Sequence, residues 1–190
     1  MSFIKTCVSK FSGISCGNIV YNKLLEHNVK NVWLYSGGAI MPIINSFYKR
    51  KEINYYINTH EQNAGHAATG YSKSSNKTGV VIVTSGPGLT NLVTPILDAT
   101  NDSTPLVVFS GQVQKKAIGS LAFQECPAVD ITKHITKWSY QIKNIEEVPE
   151  VIDTAFKIAN NGKKGAVHID IPKCIASSIY PKIDNILDED

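Results

Sequence analysis

The sequence lacks the features that mark several large classes of protein. Its four cysteines form no CxxC pair and no His/Cys ligand spacing, so it predicts neither a metal site nor a disulfide framework. No apolar run approaches the roughly 20 residues that a membrane span requires. The opening Met1 to Lys5 has no signal-peptide apolar core. The net charge is only +3 and the lysines are scattered, which argues against nucleic-acid binding. We therefore expect a cytoplasmic protein with reduced thiols and no metal ligands, which binds neither nucleic acid nor a membrane.

The composition indicates one ordinary globular unit. Hydrophobic residues make up 43% of the chain and charged residues 18%, which is typical of a folded protein. A chain of 190 residues can bury the core of one α/β domain but is too short for two full-sized ones. We expect an N-terminal extension over residues 1–14, a domain over 15–174 and a linker over 175–190 leading to domains that this chain does not contain.

The hydrophobic pattern alternates between strands and helices, with short turns marked by glycine. Apolar runs predict strands at 31–35, 53–58, 79–84, 106–110 and 166–171. Periodic patterns predict helices at 15–27, 40–48, 61–74, 89–100 and 146–160, and residues 112–140 show no clear pattern. The run 53–57 is expected to be a buried strand. Alternating elements of this kind predict an α/β fold: a doubly wound, mostly parallel sheet flanked by helices.

Three of the predicted strands end in glycine-containing loops, at 36–38, 85–88 and 111–112. Because parallel strands end at the same edge of a sheet, these loops should converge on one crevice. A single glycine-rich turn is more often just a tight turn. None of the loops has the GxGxxG or P-loop pattern, so the sequence does not predict a nucleotide-phosphate site.

Glu61 follows one strand and begins a helix rich in small residues. Its carboxylate is therefore placed where backbone N–H groups are unpaired and where open α/β sheets bind ligands. A glutamate in this position can simply cap the helix, and Glu61 alone leaves that interpretation open.

Taken together, the motifs resemble a known family. The chain is similar to the N-terminal, pyrimidine-binding domain of the thiamine-diphosphate enzymes of the acetolactate synthase group, and the resemblance spans about residues 15–174. The resemblance implies the thiamine-diphosphate-binding fold. The matching segments are 35–39 (Tyr-Ser-Gly-Gly-Ala), 60–68 (His-Glu-Gln-Asn-Ala-Gly-His-Ala-Ala), 84–92 (Thr-Ser-Gly-Pro-Gly-Leu-Thr-Asn-Leu), 105–113, 122–125 (Ala-Phe-Gln-Glu) and 170–173 (Asp-Ile-Pro-Lys).

The resemblance implies a role for individual residues. Glu61 would be the catalytic carboxyl, which hydrogen-bonds a ring nitrogen of the cofactor's aminopyrimidine and thereby activates its thiazolium carbon. This role requires a carboxyl that can donate a proton, which a dry pocket favours. The other implied cofactor-binding residues are Pro87, Asn91, Gly37 and Gly38, and the implied substrate-side residues are Ala39, Phe123, Gln124 and Lys173. For each of these except Glu61, a packing or turn role stays an alternative.

The resemblance also implies cofactors and partners. The parent enzyme would decarboxylate pyruvate and join the product to a second small 2-keto acid, as in branched-chain amino acid biosynthesis. Thiamine diphosphate would be bound with Mg²⁺, and the Mg²⁺ would be held by a C-terminal domain absent from this chain. FAD is implied for a full-length enzyme, but Lys163-Lys164-Gly165 replaces the family's Arg-Pro-Gly and argues against flavin binding. The implied partners are a second copy of the chain, as a homodimer or higher oligomer, and the diphosphate-binding domain of that copy.

Two alternatives to the synthase stay open. One is a domain of another thiamine-diphosphate enzyme, a 2-keto-acid decarboxylase or oxidase. The other is a non-catalytic oligomerisation module with the same fold. Residues 60–62 and 123–125 favour the synthase, and a pure scaffold has no use for a buried carboxyl such as that of Glu61. On either enzymatic interpretation the isolated chain is half of a site and is expected to be inactive alone.

Overall fold

The computed structural model describes residues 10–182 and contains a six-stranded sheet. The strands are β1 (Asn31–Leu34), β2 (Asn54–Ile57), β3 (Gly79–Val83), β4 (Leu106–Gln112), β5 (Trp138–Gln141) and β6 (Ala166–Pro172). They lie in the order β2-β1-β3-β4-β6-β5, and every neighbouring pair is parallel. The predicted α/β fold with a doubly wound parallel sheet is confirmed.

Helices connect the strands and cover both faces of the sheet. They are α1 (Cys16–Glu26), α2 (Met41–Ile44), α3 (Glu61–Ser75), α4 (Pro87–Thr90), α5 (Val93–Asn101), α6 (Ala128–Thr132), α7 (Val148–Asn160) and α8 (Lys173–Ala176), with 3₁₀ turns at Asn45–Phe47 and Lys115–Ala117. Local chemistry sets several of their ends. Ser15 caps α1 by accepting a hydrogen bond from Asn18 N, and α3 ends at Asn76, whose φ of 57° is left-handed.

The core has two layers, one on each face of the central strands. Every residue of β3, β4 and β6 is buried, as expected for parallel strands covered on both faces. One apolar cluster joins the sheet to α1, α2 and α7, and the other joins it to α3 and α5. The central strands are therefore fixed from both sides, and the polar residues at their carboxyl ends are held in place.

The prediction of a buried strand at 53–57 is wrong for most of that segment. β2 is an edge strand in which every residue is exposed, although the preceding Ile53 is buried. The two tyrosines of β2 contact aromatic neighbours: Tyr56 stacks on Trp33 with ring centroids 5.4 Å apart, and Tyr55 lies edge-on to Phe47 at 6.4 Å. An edge strand has a neighbour on one side only, so an apolar run there does not guarantee burial.

The predicted helix at 89–100 is interrupted, and the interruption places a site residue. α4 ends at Thr90 and α5 begins at Val93, so Asn91 lies between two helices. Pro95 has no N–H to donate to the Asn91 carbonyl four residues earlier, so one continuous helix is disfavoured there.

Three further segments differ from the sequence expectations. β5 lies within the stretch that showed no pattern, because its four half-buried residues are too few to show a period. Residues 173–176 form α8, which crosses the predicted boundary at 174 between the domain and the linker. Tyr180 packs near Phe11 of the predicted extension, with both rings buried in the main core. The division at 14 and 174 stays a prediction, and its parts at 1–9 and 183–190 lie outside the described residues.

Candidate functional site

Glu61 is buried at the start of α3, at the carboxyl edge of the sheet. It is the first residue of the helix and is only 7% exposed. The preceding His60 caps the helix through its ring Nδ1, which accepts from Gln62 N at 3.1 Å. The side-chain cap of α3 is therefore supplied by His60 and not by Glu61.

Asn91 supplies the one side-chain hydrogen bond that Glu61 accepts among the described residues. Asn91 Nδ2 donates to Glu61 Oε2 at 2.9 Å. This bond joins the start of α3 to residues 85–91, a segment that includes α4 and that we call the pyrimidine-side loop after the role that the resemblance implies. The second carboxylate oxygen, Oε1, keeps its hydrogen-bonding capacity for a ligand.

The glycines after β1 and at the end of β4 pack against one another's loops and the end of β3, so these segments meet as the parallel topology predicted. A Cβ on Gly37 would lie 2.4 Å from the Cβ of Thr84, so the loops after β1 and β3 touch with no room for a side chain. A Cβ on Gly111 would lie 2.9 Å from the Cβ of Ala39, so the end of β4 contacts the loop that follows β1. Gly38 is exposed beside them.

Residues 118–126, which we call the substrate-side loop, carry Phe123 and Gln124. Phe123 is 88% exposed, whereas the backbone of Gln124 is packed against Gly86: a Cβ on Gly86 would lie 2.6 Å from the Gln124 carbonyl oxygen. Gly86 has a φ of +59°, which a residue with a side chain adopts with strain. The substrate-side loop thus rests directly on the pyrimidine-side loop, next to exposed Pro87.

Lys173 lies farther from this contact. It is exposed and begins α8, directly after β6, at the same edge of the sheet. The structure therefore brings predicted residues together in two contacts, Glu61 with Asn91 and Gln124 with the turn at Gly86 and Pro87. Lys173 takes part in neither contact and is exposed at the carboxyl edge of the sheet.

Two polar atoms near the site are buried without a protein partner in the described part of the chain. They are Thr84 Oγ1 and Asn58 Oδ1, and these residues follow β3 and β2. A buried polar atom without a partner costs about 1–3 kcal/mol. An under-partnered carboxylate, joined by Asn91 to a segment that contains Gly86 and Gly88, suits a polar, flat ring that hydrogen-bonds to it. An aminopyrimidine has this chemistry, so the residues present fit the cofactor half that the sequence implied.

Comparison with known proteins decides the family. Residues 14–133 match the family model described as the N-terminal TPP-binding domain of thiamine pyrophosphate enzymes. The chain belongs to this thiamine pyrophosphate enzyme family. The resemblance inferred from the motifs is confirmed.

Among individual proteins, the chain is similar to acetolactate synthases. It is 49% identical to the mitochondrial acetolactate synthase of Schizosaccharomyces pombe over 171 residues, which cover 90% of this chain and 26% of that protein. It is 45% identical to the acetolactate synthase large subunit of Lactococcus lactis over 171 residues, 90% of this chain and 30% of that subunit. It is 42% identical over 162 residues to the chloroplastic acetolactate synthase of Arabidopsis thaliana, 85% of this chain and 24% of that protein.

The chain spans about a quarter of the length of these relatives. Some of their names place them in mitochondria or chloroplasts, so the cytoplasmic location stays a prediction. Within residues 10–182 there is no helix long and apolar enough to cross a membrane. The same residues contain no group of three or more His, Cys, Asp or Glu side chains that could hold a metal ion.

The thiamine-enzyme domain also buries a second carboxylate, Asp170 on β6. Asp170 is fully buried, and its register neighbours are Ser110 on β4 and Gln141 on β5. Ser110 Oγ donates to Asp170 Oδ1 at 2.7 Å, and Gln141 Nε2 donates to Oδ2 at 2.8 Å. Gln112 Nε2 donates to the same Oδ2 at 3.3 Å.

His168 extends this cluster. Its Nε2 lies 2.8 Å from Ser110 Oγ, and its Nδ1 lies 2.8 Å from Thr132 Oγ1. Burial lowers the pKa of His168 to about 3, so the ring is neutral at pH 7. Burial raises the pKa of Asp170 to about 6, against the hydrogen bonds from Gln141, Ser110 and Gln112. Ser110, His168 and Asp170 are 0% exposed, so they form a sealed structural network, not a nucleophilic triad.

Sequence reasoning assigned no site role to this cluster, although a signal was present. His168 and Asp170 are two residues apart in a strand that is otherwise apolar, which places both side chains on one face. A polar residue inside a strand that is buried on both faces requires partners, so the pattern could have predicted a buried network.

Proposed function

We propose that this chain is the pyrimidine-binding part of an acetolactate synthase and that Glu61 is the carboxyl that activates the cofactor. The parent enzyme would decarboxylate pyruvate and join the product to a second 2-keto acid. The observation that carries the proposal is the buried, under-partnered carboxylate at the start of α3, with 41–49% identity to acetolactate synthases in support.

Thiamine diphosphate, when bound, supplies a thiazolium carbon that adds to 2-keto acids and stabilises the carbanion left by decarboxylation. This chain contributes binding and proton control. Asn91 fixes one oxygen of Glu61 and leaves the other oxygen available to a ring nitrogen of the pyrimidine. Glu61, which is nearly buried, would hold a proton at that nitrogen.

The rest of the site would come from protein that this chain does not contain. We propose that Mg²⁺ and the diphosphate are held by a C-terminal domain of a partner copy, so that the active unit is a homodimer or larger. FAD would bind only in the full-length enzyme, and Lys163-Lys164-Gly165 argues against it here. Purified 190-residue chain supplied with thiamine diphosphate and Mg²⁺ should therefore form no acetolactate from pyruvate, measured by a colorimetric product assay.

The central test replaces Glu61 with Gln in the full-length protein. The amide keeps the size of the side chain but cannot give up a proton to the ring, so cofactor binding should persist while activation slows. General acid–base contributions are roughly 10²–10⁴-fold, which sets the expected loss. The measurement is hydrogen–deuterium exchange at the thiazolium C2 followed by proton NMR, because it isolates activation from substrate chemistry.

The matched control is Glu150→Gln, an exposed glutamate on α7. It should exchange the C2 proton at the parent rate. An equal rate for Glu61→Gln would overturn the assignment of Glu61 and would favour the non-catalytic module. Acetaldehyde or acetyl products in place of acetolactate would keep the role of Glu61 and favour the decarboxylase or oxidase.

A further inference from the structure

One buried side chain connects the substrate-side loop to the sheet. Gln112 is the last residue of β4 and is 1% exposed. Its Nε2 donates to the Cys126 carbonyl oxygen at 2.9 Å and to Asp170 Oδ2 at 3.3 Å, and its Oε1 accepts from Val113 N at 2.9 Å. These three contacts use both amide hydrogens and fix the orientation of the amide, since a flipped amide would face each contact with the wrong atom.

The substrate-side loop has few other attachments to the domain. Its largest apolar side chains, Leu121 and Phe123, are 95% and 88% exposed, so they contribute little hydrophobic burial, and Cys126 at the end of the loop packs against a core cluster. Within the loop, the Glu125 carboxylate accepts from Gly119 N and from Ala122 N, which makes the loop a unit closed on itself. A displacement at Cys126 would therefore move the loop as a whole.

Asp170 makes the other end of this connection rigid. Besides Gln112, it accepts from Ser110 and Gln141, which lie on the strands at either side of β6. Gln112 thus bridges a carboxylate held by side chains of β4 and β5 to the end of a loop that also contacts Gly86 through the Gln124 backbone and packs Cys126 against the core.

We propose that Gln112 is a positioning residue, which holds the substrate-side loop against the pyrimidine-side loop and so sets where a 2-keto acid binds relative to the cofactor. The kinetic part of this inference rests on the proposed function. The structural part, that Gln112 holds the loop in place, does not. Gln112 touches neither substrate nor cofactor and acts through residues 118–126.

The test is Gln112→Met in the full-length protein, because methionine fills a similar volume without hydrogen bonding. Amide hydrogen exchange, followed by mass spectrometry on peptides from residues 113–126, should be about tenfold faster, the factor expected when one buried hydrogen bond is lost. The KM for the 2-keto acid should rise about tenfold, while the Kd for thiamine diphosphate changes less than twofold. A general loss of stability would instead accelerate exchange throughout the sheet and weaken cofactor binding as well.

The matched control is Gln114→Met, an exposed glutamine two residues farther on whose side chain makes no cap hydrogen bond. It should leave both exchange and KM unchanged. Gln112→Asn, which is one methylene shorter, is the milder variant and should give the same pattern as Gln112→Met.

Parent-like exchange in residues 113–126 of a folded Gln112 variant would overturn the proposal. So would failure of both Gln112 variants to fold, since the residue would then be purely structural. If the parent protein turned over no 2-keto acid but the loop still exchanged faster in the variants, the proposed function would fail while the role of Gln112 in holding the loop would stand.

Discussion

The domain buries two carboxylates at the carboxyl edge of one sheet and surrounds them differently. Asp170 accepts hydrogen bonds from three side chains on two strands, and none of its surface reaches solvent. Glu61, 7% exposed, accepts one side-chain hydrogen bond within the described residues, from Asn91. The hydrogen-bonding capacity of Asp170 is therefore used within the protein, whereas one carboxylate oxygen of Glu61 stays available to a ligand.

The difference shows how burial alone misleads. Both groups would be chosen by a search for buried acids, yet a fully partnered acid contributes to structure and an under-partnered one is available to a ligand. We therefore expect substitution of Asp170 to lower the stability of the domain and substitution of Glu61 to impair its function.

The largest expected effect is that of Asp170→Ala on the stability of the 190-residue chain. The substitution removes, from a fully buried position, the carboxylate that accepts hydrogen bonds from Ser110, Gln112 and Gln141, so the free energy of unfolding should fall by roughly 3–4 kcal/mol. Urea denaturation measures it. Asp98→Ala, which removes a half-exposed carboxyl from α5, is the control and should change stability by about 0.5 kcal/mol or less. A loss below about 1 kcal/mol for Asp170→Ala would contradict the structural role.

The second prediction uses the pH dependence of Asp170. Its pKa is raised in the folded protein from 3.8 to about 6, so the folded state binds a proton more readily than the unfolded state between these values. The stability that this proton contributes is present below about pH 4 and is lost as the pH rises through 6. At 1.36 kcal/mol per pKa unit it amounts to about 3 kcal/mol.

Asp170→Asn removes this titration, so the variant should lose stability relative to the parent as the pH falls from 7 to 4. His168 titrates in the opposite direction, because burial lowers its pKa to about 3, but it is present in both proteins and cancels in the comparison. Urea midpoints at pH 7, 5.5 and 4 check the prediction. A difference between the two proteins that does not vary with pH would contradict it.

The third prediction concerns the unpartnered hydroxyl on the Glu61 side. Thr84→Val keeps the shape of the side chain and removes a buried oxygen that has no partner in the described residues, so stability should rise by about 1 kcal/mol. Thermal unfolding of the 190-residue chain, analysed at the parent's midpoint, is the measurement. Thr132→Val is the contrasting variant, since Thr132 Oγ1 bonds His168 and the Ala128 carbonyl, and it should destabilise.

The smallest expected effect is that of Glu61→Gln on stability. The amide introduced by this substitution can still accept from Asn91 through its oxygen, so the free energy of unfolding should change by about 0.5 kcal/mol or less. Chemical denaturation of the 190-residue chain decides it. A loss as large as that of Asp170→Ala would mean that Glu61 is a structural residue too, and the contrast between the two carboxylates would no longer hold.

Much of the fold could be predicted from local patterns. The two-faced apolar runs at 79–84 and 106–110 correspond to β3 and β4, and the periodic segments correspond to α1, α3 and α7. The errors lie where a pattern depends on neighbours. Nothing in the run 53–57 indicates that one side of β2 has no strand beside it, and β5 is too short to show a period.

The residues of the candidate site, too, could be predicted from the sequence only in part. Glu61 could be found from sequence because its position between a strand and a helix is local. Its partner Asn91 came from a family motif, since the two residues are 30 positions apart. Gln112 was visible only as the end of a glycine loop, and its contacts with Cys126 and Asp170 could not be predicted without the path of the 112–140 segment.

By itself, the sequence determined which segments are strands and helices at the centre of the domain and that their glycine loops lie at one edge. Periodicity records which face of each segment is buried, and that is local information. Only the tertiary structure decided which of the two buried acids has its hydrogen-bonding capacity filled by other side chains. Strand order places β6 between β4 and β5, and register sets Asp170 beside Ser110 and Gln141. No such neighbours flank Glu61 at the start of α3 within the described residues, so its carboxylate is left under-partnered.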